Sequence, residues 1–457
     1  MKQLLLLVAG VCLAIPSQSA DLSPPAQAWY DAGQAFLASK QRQFPGGRKR
    51  ARNVILFIGD GMGVATVTAA RIHAGQINGN SGEENLLSFE AFPATALSKT
   101  YAVNRQVSDS ASTATAMVTG VKTNFRFVSM DETATPGDCN TGKLTTILEM
   151  AEAKGLATGV VSTTRLTHAT PAALYAHVTN RNMERDAEAG CPDIASQLID
   201  FPYGDGLDVA LGGGYPAFDP ALRNDGRNLI EEWQASGPGA SVVRTRGELV
   251  AIDANTRRLL GLFSDSHMDY ERERRPEQPS LTEMTEAAIS LVKRNRKGFF
   301  LMIEGGRIDH GHHAGNASLA LTETIEFSNA IRRATELVGD DTLIIVTADH
   351  SHVMTMAGYP ARGNPILGVS GMDSNNLPYT TLGYGNGPGY RGGSRPDLTR
   401  VDTTAPDFRQ EATVPTASET HGGEDVAVYA QGPGSQWING VMEQNVIFHV
   451  MKAALRL

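Results

Sequence analysis

The chain has 457 residues, and its 49 acidic and 40 basic side chains give a formal net charge of −9. This balance argues against a nucleic-acid-binding protein, which would need a basic surface. Hydrophobic residues make up 41% of the chain and charged residues 19%. These values exclude long disordered, coiled-coil and collagen-like chains. The length fits two or three domains, or one large α/β unit with insertions.

The first twenty residues have the pattern of a secretory signal peptide. Lys2 precedes an apolar run over 4–15, and small residues follow at Ser17, Ser19 and Ala20. No apolar run reaches membrane length, and the C-terminal VMKAALRL has no lipid-anchor signal. We therefore expect a signal peptide over 1–20 and an exported protein over 21–457, periplasmic or secreted, with no membrane anchor.

Residues 24–41 show the spacing of an amphipathic helix, with Trp29, Tyr30, Phe36 and Leu37 on its apolar side. Four short apolar runs then recur along the chain, over 53–58, 158–162, 298–303 and 342–347. Helical patterns separate them, notably over 144–154, 281–293 and 319–337. Such alternation predicts a doubly wound α/β fold, in which helices cover both faces of a mostly parallel sheet.

Ligands of such sheets bind at the carboxyl ends of the strands. Three of the four runs are followed there by a carboxylate, at Asp60, Glu304 and Asp349. Asp60 alone would more simply cap a helix. The recurrence of acids at three strand ends favours a shared cation site.

A serine and an arginine are candidates for phosphate chemistry. Ser110 follows Asp109 and precedes a helix-like run of small residues, so its hydroxyl can lie at a helix N-terminus, where anions are favoured. The alternative is an ordinary helix cap. Beyond the second apolar run come His168, Thr170 and Arg181, and Arg181 can hold two phosphoryl oxygens in a bidentate fork. A surface salt bridge is the alternative for Arg181.

Histidines cluster late in the chain. Five of the 11 are His310, His312, His313, His350 and His352. Asp309 and His313 are four residues apart, so one helical turn can aim both at one ion. A mixture of imidazole and carboxylate suits Zn²⁺, whereas carboxylates with a hydroxyl suit Mg²⁺. We expect His312 and His352 to face away and support their neighbours.

The remaining segments are less regular. Residues 358–418 are rich in Gly, Pro, Tyr and Thr and predict an irregular surface insertion, followed by a strand near 425–429 and a helix near 443–455. Between them, His421 is predicted on a flexible turn, where a solvated histidine is the alternative to a metal ligand. Cys139 and Cys191 remain after loss of the signal, and they favour one disulfide in an oxidising compartment, with two buried thiols as the alternative.

Several long motifs together resemble the alkaline phosphatases, most closely the branch that includes the metazoan enzymes. They run in order from about Arg52 to the C-terminus: RNVILFIGDGMGVATVTAARI, VSDSASTATAMVTGVKTN, TTRLTHATPAALYAHVTNRN, FFLMIEGGRIDHGHHAGN, VTADHSHV and ETHGGEDVAVYA. The resemblance implies a broad phosphate monoesterase that works through a phosphoserine, with two Zn²⁺ and one Mg²⁺ per subunit.

The resemblance also implies roles for individual residues. Ser110 matches the nucleophile and Arg181 the phosphate-binding arginine. The matching metal ligands are Asp309, His313 and His421 for the first zinc, Asp60, Ser110, Asp349 and His350 for the second, and Asp60, Thr170 and Glu304 for magnesium. Asp109, His168 and His310 match residues just outside the ligands, and Cys139 with Cys191 a disulfide pair.

The resemblance further implies a homodimer, in which helix 24–41 reaches the other subunit and insertion 358–418 forms a crown near the interface. Thr170 stands where close relatives often have Ser, and both supply a hydroxyl. Where that branch would supply acids for an additional calcium site, this chain has Ser264 and Gln278, which argues against that site.

Two rival functions differ in their residues. A phosphodiesterase or sulfatase of the same superfamily would keep two metals and change the nucleophile or its neighbours, and no C-x-P-x-R sulfatase segment is present. A non-catalytic exported protein that binds metal or phosphate would need no activated serine.

Overall fold

The computed structural model describes residues 22–45, 50–188, 190–393 and 395–457. The predicted signal peptide lies outside these ranges. Within them the strands are β1 Asn53–Gly59, β2 Ala94–Lys99, β3 Ala157–Arg165, β4 Val209–Gly213, β5 Ala240–Val243, β6 Arg258–Leu262, β7 Phe299–Gly305, β8 Thr342–Ala348, β9 Ser351–His352, β10 Met354–Met356, β11 Val369–Met372, β12 Pro378–Thr380, β13 Leu382–Gly387, β14 Ala412–Pro415, β15 His421–Gly422, β16 Val426–Gln431 and β17 Gly440–Glu443. The helices are α1 Pro24–Gln43, α2 Val64–Ile77, α3 Ser110–Thr119, α4 Ile147–Ala153, α5 Ala169–Ala172, α6 Ile194–Ile199, α7 Leu229–Ala235, α8 Arg246–Val250, α9 Leu281–Val292, α10 Arg307–His313, α11 Ala317–Leu337 and α12 Val446–Leu455.

A ten-stranded sheet forms the centre of the described structure, in the order β17-β2-β16-β8-β1-β7-β3-β4-β6-β5. All neighbouring pairs are parallel except those that β16 makes with β8 and β2. Strands β1, β7 and β8 are buried along their whole length, as their continuous apolar sequences predict. The predicted mostly parallel α/β sheet is confirmed.

Helices cover both faces of this sheet, and alternate residues of β1 show it. Val54 and Leu56 pack in one buried cluster with α3, α4 and α12. Ile55 and Phe57 pack in a second cluster with α2, α9 and α11. Since successive side chains of a strand point to opposite faces, the central strands contribute to two cores. The sheet is therefore a rigid platform whose strand ends carry the polar residues.

The first helix, α1, packs on α12 of the same chain. The ring of Tyr30 lies 4.6 Å from that of His449, and the Asn445 side chain donates a 2.8 Å hydrogen bond to the carbonyl of Trp29. Gly33 permits this approach, because a Cβ there would lie 2.5 Å from the His449 ring. In this structure the buried side of α1 is thus used within its own subunit.

The segment 358–418 is more regular than its composition predicts. It contains the antiparallel pair β11 and β12, and β13 pairs with both β10 and β14. Elsewhere, Cys139 and Cys191 form a disulfide with their Cα atoms 4.9 Å apart. No helix among the described residues has the length and apolar character needed to cross a bilayer.

Candidate active site

The carboxyl ends of β8, β1 and β7 bring three acids together. In the register, Gly59 of β1 lies beside Ala348 of β8, and Ile58 lies beside Glu304 of β7. Asp60 and Asp349 directly follow their strands, and both are fully buried, as is Glu304. Burial of three acids at one sheet edge requires compensation by cations or by protonation.

Ser110 opens helix α3 above this edge. Asp109 caps the helix by accepting a hydrogen bond from the backbone N–H of Ser112. The Ser110 hydroxyl donates to Asp60 Oδ1 at 3.3 Å and lies 3.2 Å from His350 Nε2. The serine that the sequence could equally assign to a helix cap is thus the first helical residue, and its hydroxyl points into the carboxylate cluster.

Imidazoles converge on a second point. Asp309 Oδ1 lies 3.3 Å from His313 Nε2 and 3.3 Å from His421 Nε2. His421 is on strand β15, which pairs with β9 at His352, so the predicted flexible turn is wrong. Pairing with β9 fixes His421 at the site. His350 belongs to the same region, and its ring stacks on that of His421 with centroids 3.6 Å apart.

A third set of oxygens has no hydrogen-bond partner. Asp60 Oδ2, Thr170 Oγ1 and Glu304 Oε1 are all buried and unsatisfied among the described residues. Asp60, Glu304 and His168 also offer atoms that lie within 4.8 Å of one another. An unsatisfied buried oxygen is costly, and two carboxylates with a hydroxyl are donors suited to Mg²⁺. These residues therefore fit a divalent cation.

The pKa shifts agree with a shortage of positive charge. Burial, followed by the charges of Asp349 and Asp309, raises the pKa of Asp60 well above its usual value. Burial likewise raises the pKa of Glu304 to about 7. Burial alone would also raise that of Asp309, but the surrounding histidines, led by His313, hold it well below its usual value. Divalent ions would remove the repulsion among these acids.

Arg181 contacts Asp109, the residue before Ser110, and is positioned by its neighbours. Its Nη1 donates to Asp109 Oδ2 at 3.0 Å, and its Nη2 lies 2.9 Å from His168 Nε2. Although burial would raise the pKa of Asp109, Arg181 and the hydrogen bonds to this carboxylate keep it below its ordinary value. The Arg181 side chain is 17% exposed, so the guanidinium borders the opening of the site.

The structure adds residues that the sequence pattern did not reveal. His352 supports a neighbour as predicted, but it does not face away: its Nε2 lies 2.8 Å from Asp309 Oδ1, and its Nδ1 lies 2.5 Å from Glu419 Oε2. His312 does face away and contacts Thr66 and Tyr384. Glu419 gives no local signal of this role, because its partner is 67 residues away.

The additional calcium site has no support in the described residues. The Ser264 hydroxyl donates to the carbonyl of His267, and Gln278 accepts a hydrogen bond from the backbone of Asp269. Both side chains are neutral and already engaged with the backbone, whereas Ca²⁺ sites in proteins use carboxylates to balance the charge of the ion. The residues at this position do not fit that ion.

A serine and an arginine meet at a site whose acids and imidazoles call for several cations, and this combination defines a metal-dependent hydrolase of phosphate esters. Comparisons with known proteins agree: a sequence profile of alkaline phosphatase matches residues 51–457. The chain therefore belongs to the alkaline phosphatase family, a family of metal-dependent phosphomonoesterases.

Individual relatives support this membership. The tissue-nonspecific alkaline phosphatase of Gallus gallus is 44% identical, over 99% of this chain and 93% of its own length. The Homo sapiens enzyme is 42% identical, over 98% and 92%. The solved alkaline phosphatase of Thermus thermophilus is 27% identical with a TM-score of 0.68, covering 90% of this chain and 92% of its own.

The alkaline phosphatase of the Antarctic bacterium TAB5 is 26% identical with a TM-score of 0.67, covering 89% of this chain and 98% of its own. A histidine-to-glutamate variant of that enzyme is described with magnesium bound in a site called M3.

Proposed function

We propose that this chain hydrolyses phosphate monoesters at Ser110, through a phosphoserine intermediate and with a broad range of leaving alcohols. The convergence of the Ser110 hydroxyl with Asp60 and His350 at the N-terminus of α3 carries this proposal. The helix N-terminus favours a phosphoryl anion beside the serine oxygen. Attack by Ser110 Oγ on phosphorus releases the alcohol, and water then cleaves the phosphoserine to give inorganic phosphate.

Arg181 would bind two oxygens of the transferred phosphoryl group. Its guanidinium is already oriented by Asp109 and His168, so little conformational entropy is lost when it binds. A bidentate contact to two phosphoryl oxygens, together with the cations proposed below for the others, favours a monoester dianion over the singly charged diester. A pocket that recognises mainly the phosphoryl group is consistent with a broad substrate range.

Two zinc ions and one magnesium ion are proposed for the three convergent sets of donors. The proposed ligands are Asp309, His313 and His421 for the first zinc, Asp60, Ser110, Asp349 and His350 for the second, and Asp60, Thr170 and Glu304 for magnesium. His168, His310 and Asp109 would support them from outside. When bound, the ions would stabilise the charges that develop on the attacking and leaving oxygens. The unsatisfied oxygens of Asp60, Thr170 and Glu304 support this assignment.

Export and dimerisation are also proposed. Export is supported by the signal-like residues 1–20 and by the disulfide between Cys139 and Cys191. A homodimer is supported by large apolar side chains exposed on the crown-like insertion, including Tyr359 and Met372. Sedimentation of the mature protein over a range of concentrations tests the dimer.

The catalytic proposal is tested by comparing Ser110→Ala with Ser108→Ala, each loaded with zinc and magnesium. The Ser108 hydroxyl donates to the carbonyl of Thr100, and alanine keeps the Ser108 backbone carbonyl that faces His421, so this variant is a matched control. We expect Ser110→Ala to keep its metals, measured by mass spectrometry, and to lose turnover of p-nitrophenyl phosphate. Wild-type enzyme should cleave this monoester faster than bis(p-nitrophenyl) phosphate; the reverse order would favour a phosphodiesterase.

A further inference from the structure

A cavity of about 480 Å³ opens beside the proposed phosphoryl site, within the size range of small-ligand pockets. The residues that line it include His267, Asp269, Tyr270, Glu273, Arg275 and Arg307. None of them is among the proposed metal ligands. The cavity also borders the segment around Ser264 and Gln278, where the chain departs from the metazoan branch.

A continuous row of side chains joins this cavity to Arg181. His168 contacts Arg181, and the ring of His168 lies 5.2 Å from His267 and 5.7 Å from His310. The rings of His267 and His310 lie 4.2 Å apart, and Arg307 Nη1 lies 2.9 Å from His310 Nδ1. The guanidinium of Arg307 is therefore two imidazole rings away from the guanidinium proposed to hold the phosphoryl group.

Arg307 carries a charge that no acid neutralises at close range. Within the described ranges no ion pair joins Arg307 to a carboxylate, although the charges of Glu323 and Asp269 act on it at longer range, and its buried Nε has no hydrogen-bond partner. Its guanidinium lies 3.7 Å over the ring of Tyr270, which fixes its plane. By contrast, Arg275 in the same cavity pairs with Asp269 at 2.6 Å.

We propose that Arg307 forms a second anion subsite, which binds a second phosphoryl group of the substrate while the first is cleaved at Ser110. The preferred substrates are then small molecules that carry two phosphate groups separated by a short spacer, such as sugar bisphosphates. This proposal rests on the proposed function, because Arg181 must hold the first phosphoryl group.

The second phosphoryl group is favoured over a neutral leaving group by charge and geometry. A planar guanidinium binds a phosphate through two parallel hydrogen bonds, and Arg307 keeps N–H donors on its two terminal nitrogens beyond the contact with His310. Glu273 is the unpaired carboxylate among the residues that line this cavity, and it is exposed at the surface. Its negative charge reduces the attraction between Arg307 and a phosphate. It does not occupy the space above the Tyr270 ring, where the Arg307 guanidinium lies.

The test compares fructose 1,6-bisphosphate with fructose 6-phosphate, using p-nitrophenyl phosphate to monitor catalysis. We expect wild-type enzyme to prefer the bisphosphate in kcat/KM, and Arg307→Gln to reduce that preference by about tenfold, the effect of losing one partly exposed charged contact. The loss should be mainly in KM. Arg307→Lys should restore part of the preference, and Glu273→Gln should increase it.

Arg332→Gln is the matched control, because this exposed arginine on α11 contacts Asn329 and is not among the residues that line the cavity, so the preference should stay unchanged. Calorimetry on metal-loaded Ser110→Ala gives a second readout: adding Arg307→Gln should weaken binding of the bisphosphate by about tenfold and that of fructose 6-phosphate much less. Equal effects on both sugars would overturn the subsite. If wild-type enzyme fails to cleave p-nitrophenyl phosphate at all, the proposed function itself fails.

Discussion

The Nε2 atoms of His313 and His421 lie 3.2 Å apart. The Nδ1 atom of each ring faces a backbone carbonyl, that of Glu419 for His313 and that of Ser108 for His421. If each Nδ1 donates its proton there, both Nε2 lone pairs point at one another and at Asp309. A cation at this point would turn a repulsive arrangement into a ligand set.

Removal of metal should therefore destabilise the protein. We expect chelation to lower the free energy of unfolding by about 4 kcal/mol, the value for a site held at about a thousandfold excess over its dissociation constant. Calorimetric unfolding of loaded and chelated protein measures the difference. His421→Asn should shrink it, whereas His73→Asn, a variant on helix α2, should not. An unchanged unfolding midpoint after complete chelation would contradict the metal assignment.

Loss of the Arg181 fork should weaken transition-state binding. We expect Arg181→Ala to reduce kcat/KM for p-nitrophenyl phosphate by about a hundredfold, since charged bidentate contacts contribute about 2–3 kcal/mol. The kcat/KM of Arg181→Lys should lie between those of wild type and Arg181→Ala, because lysine keeps the charge and loses the bidentate contact. Arg185→Ala, four residues along and paired with Asp186, is the control. Inhibition by inorganic phosphate should weaken in parallel; unaltered inhibition in Arg181→Ala would exclude this contact.

Glu152 should make stability fall as pH rises. It is 1% exposed, and burial raises its pKa to about 9 from an ordinary 4.5. Between these values the folded state holds a proton that the unfolded state has lost, so folding stability decreases with rising pH across that window.

Glu152→Gln should remove that loss while it keeps an acceptor for the Thr158 hydroxyl. We expect the stability of the variant relative to wild type to be about 2 kcal/mol higher at pH 9 than at pH 5. This figure is smaller than the full pKa shift implies, because the structure around a buried acid relaxes locally. Urea unfolding at both pH values measures it. The exposed Glu231→Gln variant on α7 should show no such pH-dependent gain. A Glu152→Gln variant with the same pH slope as wild type would refute this explanation.

The disulfide should contribute to stability through the unfolded chain. Cys139 and Cys191 are 52 residues apart. In the loop-entropy description a link of this length stabilises the fold by about 4 kcal/mol. We expect the double Cys→Ala variant to unfold at a lower urea concentration than wild type. Added reductant should lower the unfolding midpoint of the wild type and leave that of the double variant unchanged. A reductant effect that persists in the double variant would point to another cause.

The long central strands could be predicted from sequence because their signal is local. The runs at 53–58 and 342–347 are continuous and apolar, and the structure extends each by one residue. Strand β4, VALGG, was missed because it is short and contains two glycines. Strand β2 was missed because it alternates buried and exposed residues and pairs antiparallel with β16, a contact between distant segments.

The site was predictable where ligand-type residues follow strands, and less so where they meet through long-range pairing. Asp60, Glu304 and Asp349 share a sheet edge because the topology dictates it. His421 and Glu419 reach the site only through the pairing of β15 with β9, for which the sequence carries no local signal. The direction of His352 was predicted wrongly because its partners, Asp309 and Glu419, are 43 and 67 residues away in sequence and leave no local signal.

The most direct test is to trap the covalent intermediate on Ser110. Metal-loaded wild-type enzyme is mixed with a phosphate monoester labelled with ³²P, quenched in acid within the first turnovers and digested to peptides. We predict label on the peptide that contains Ser110, located at that residue by mass spectrometry, and none in Ser110→Ala. Active enzyme that carries no label on Ser110, or a Ser110→Ala variant with undiminished turnover, would contradict the proposed phosphoserine mechanism.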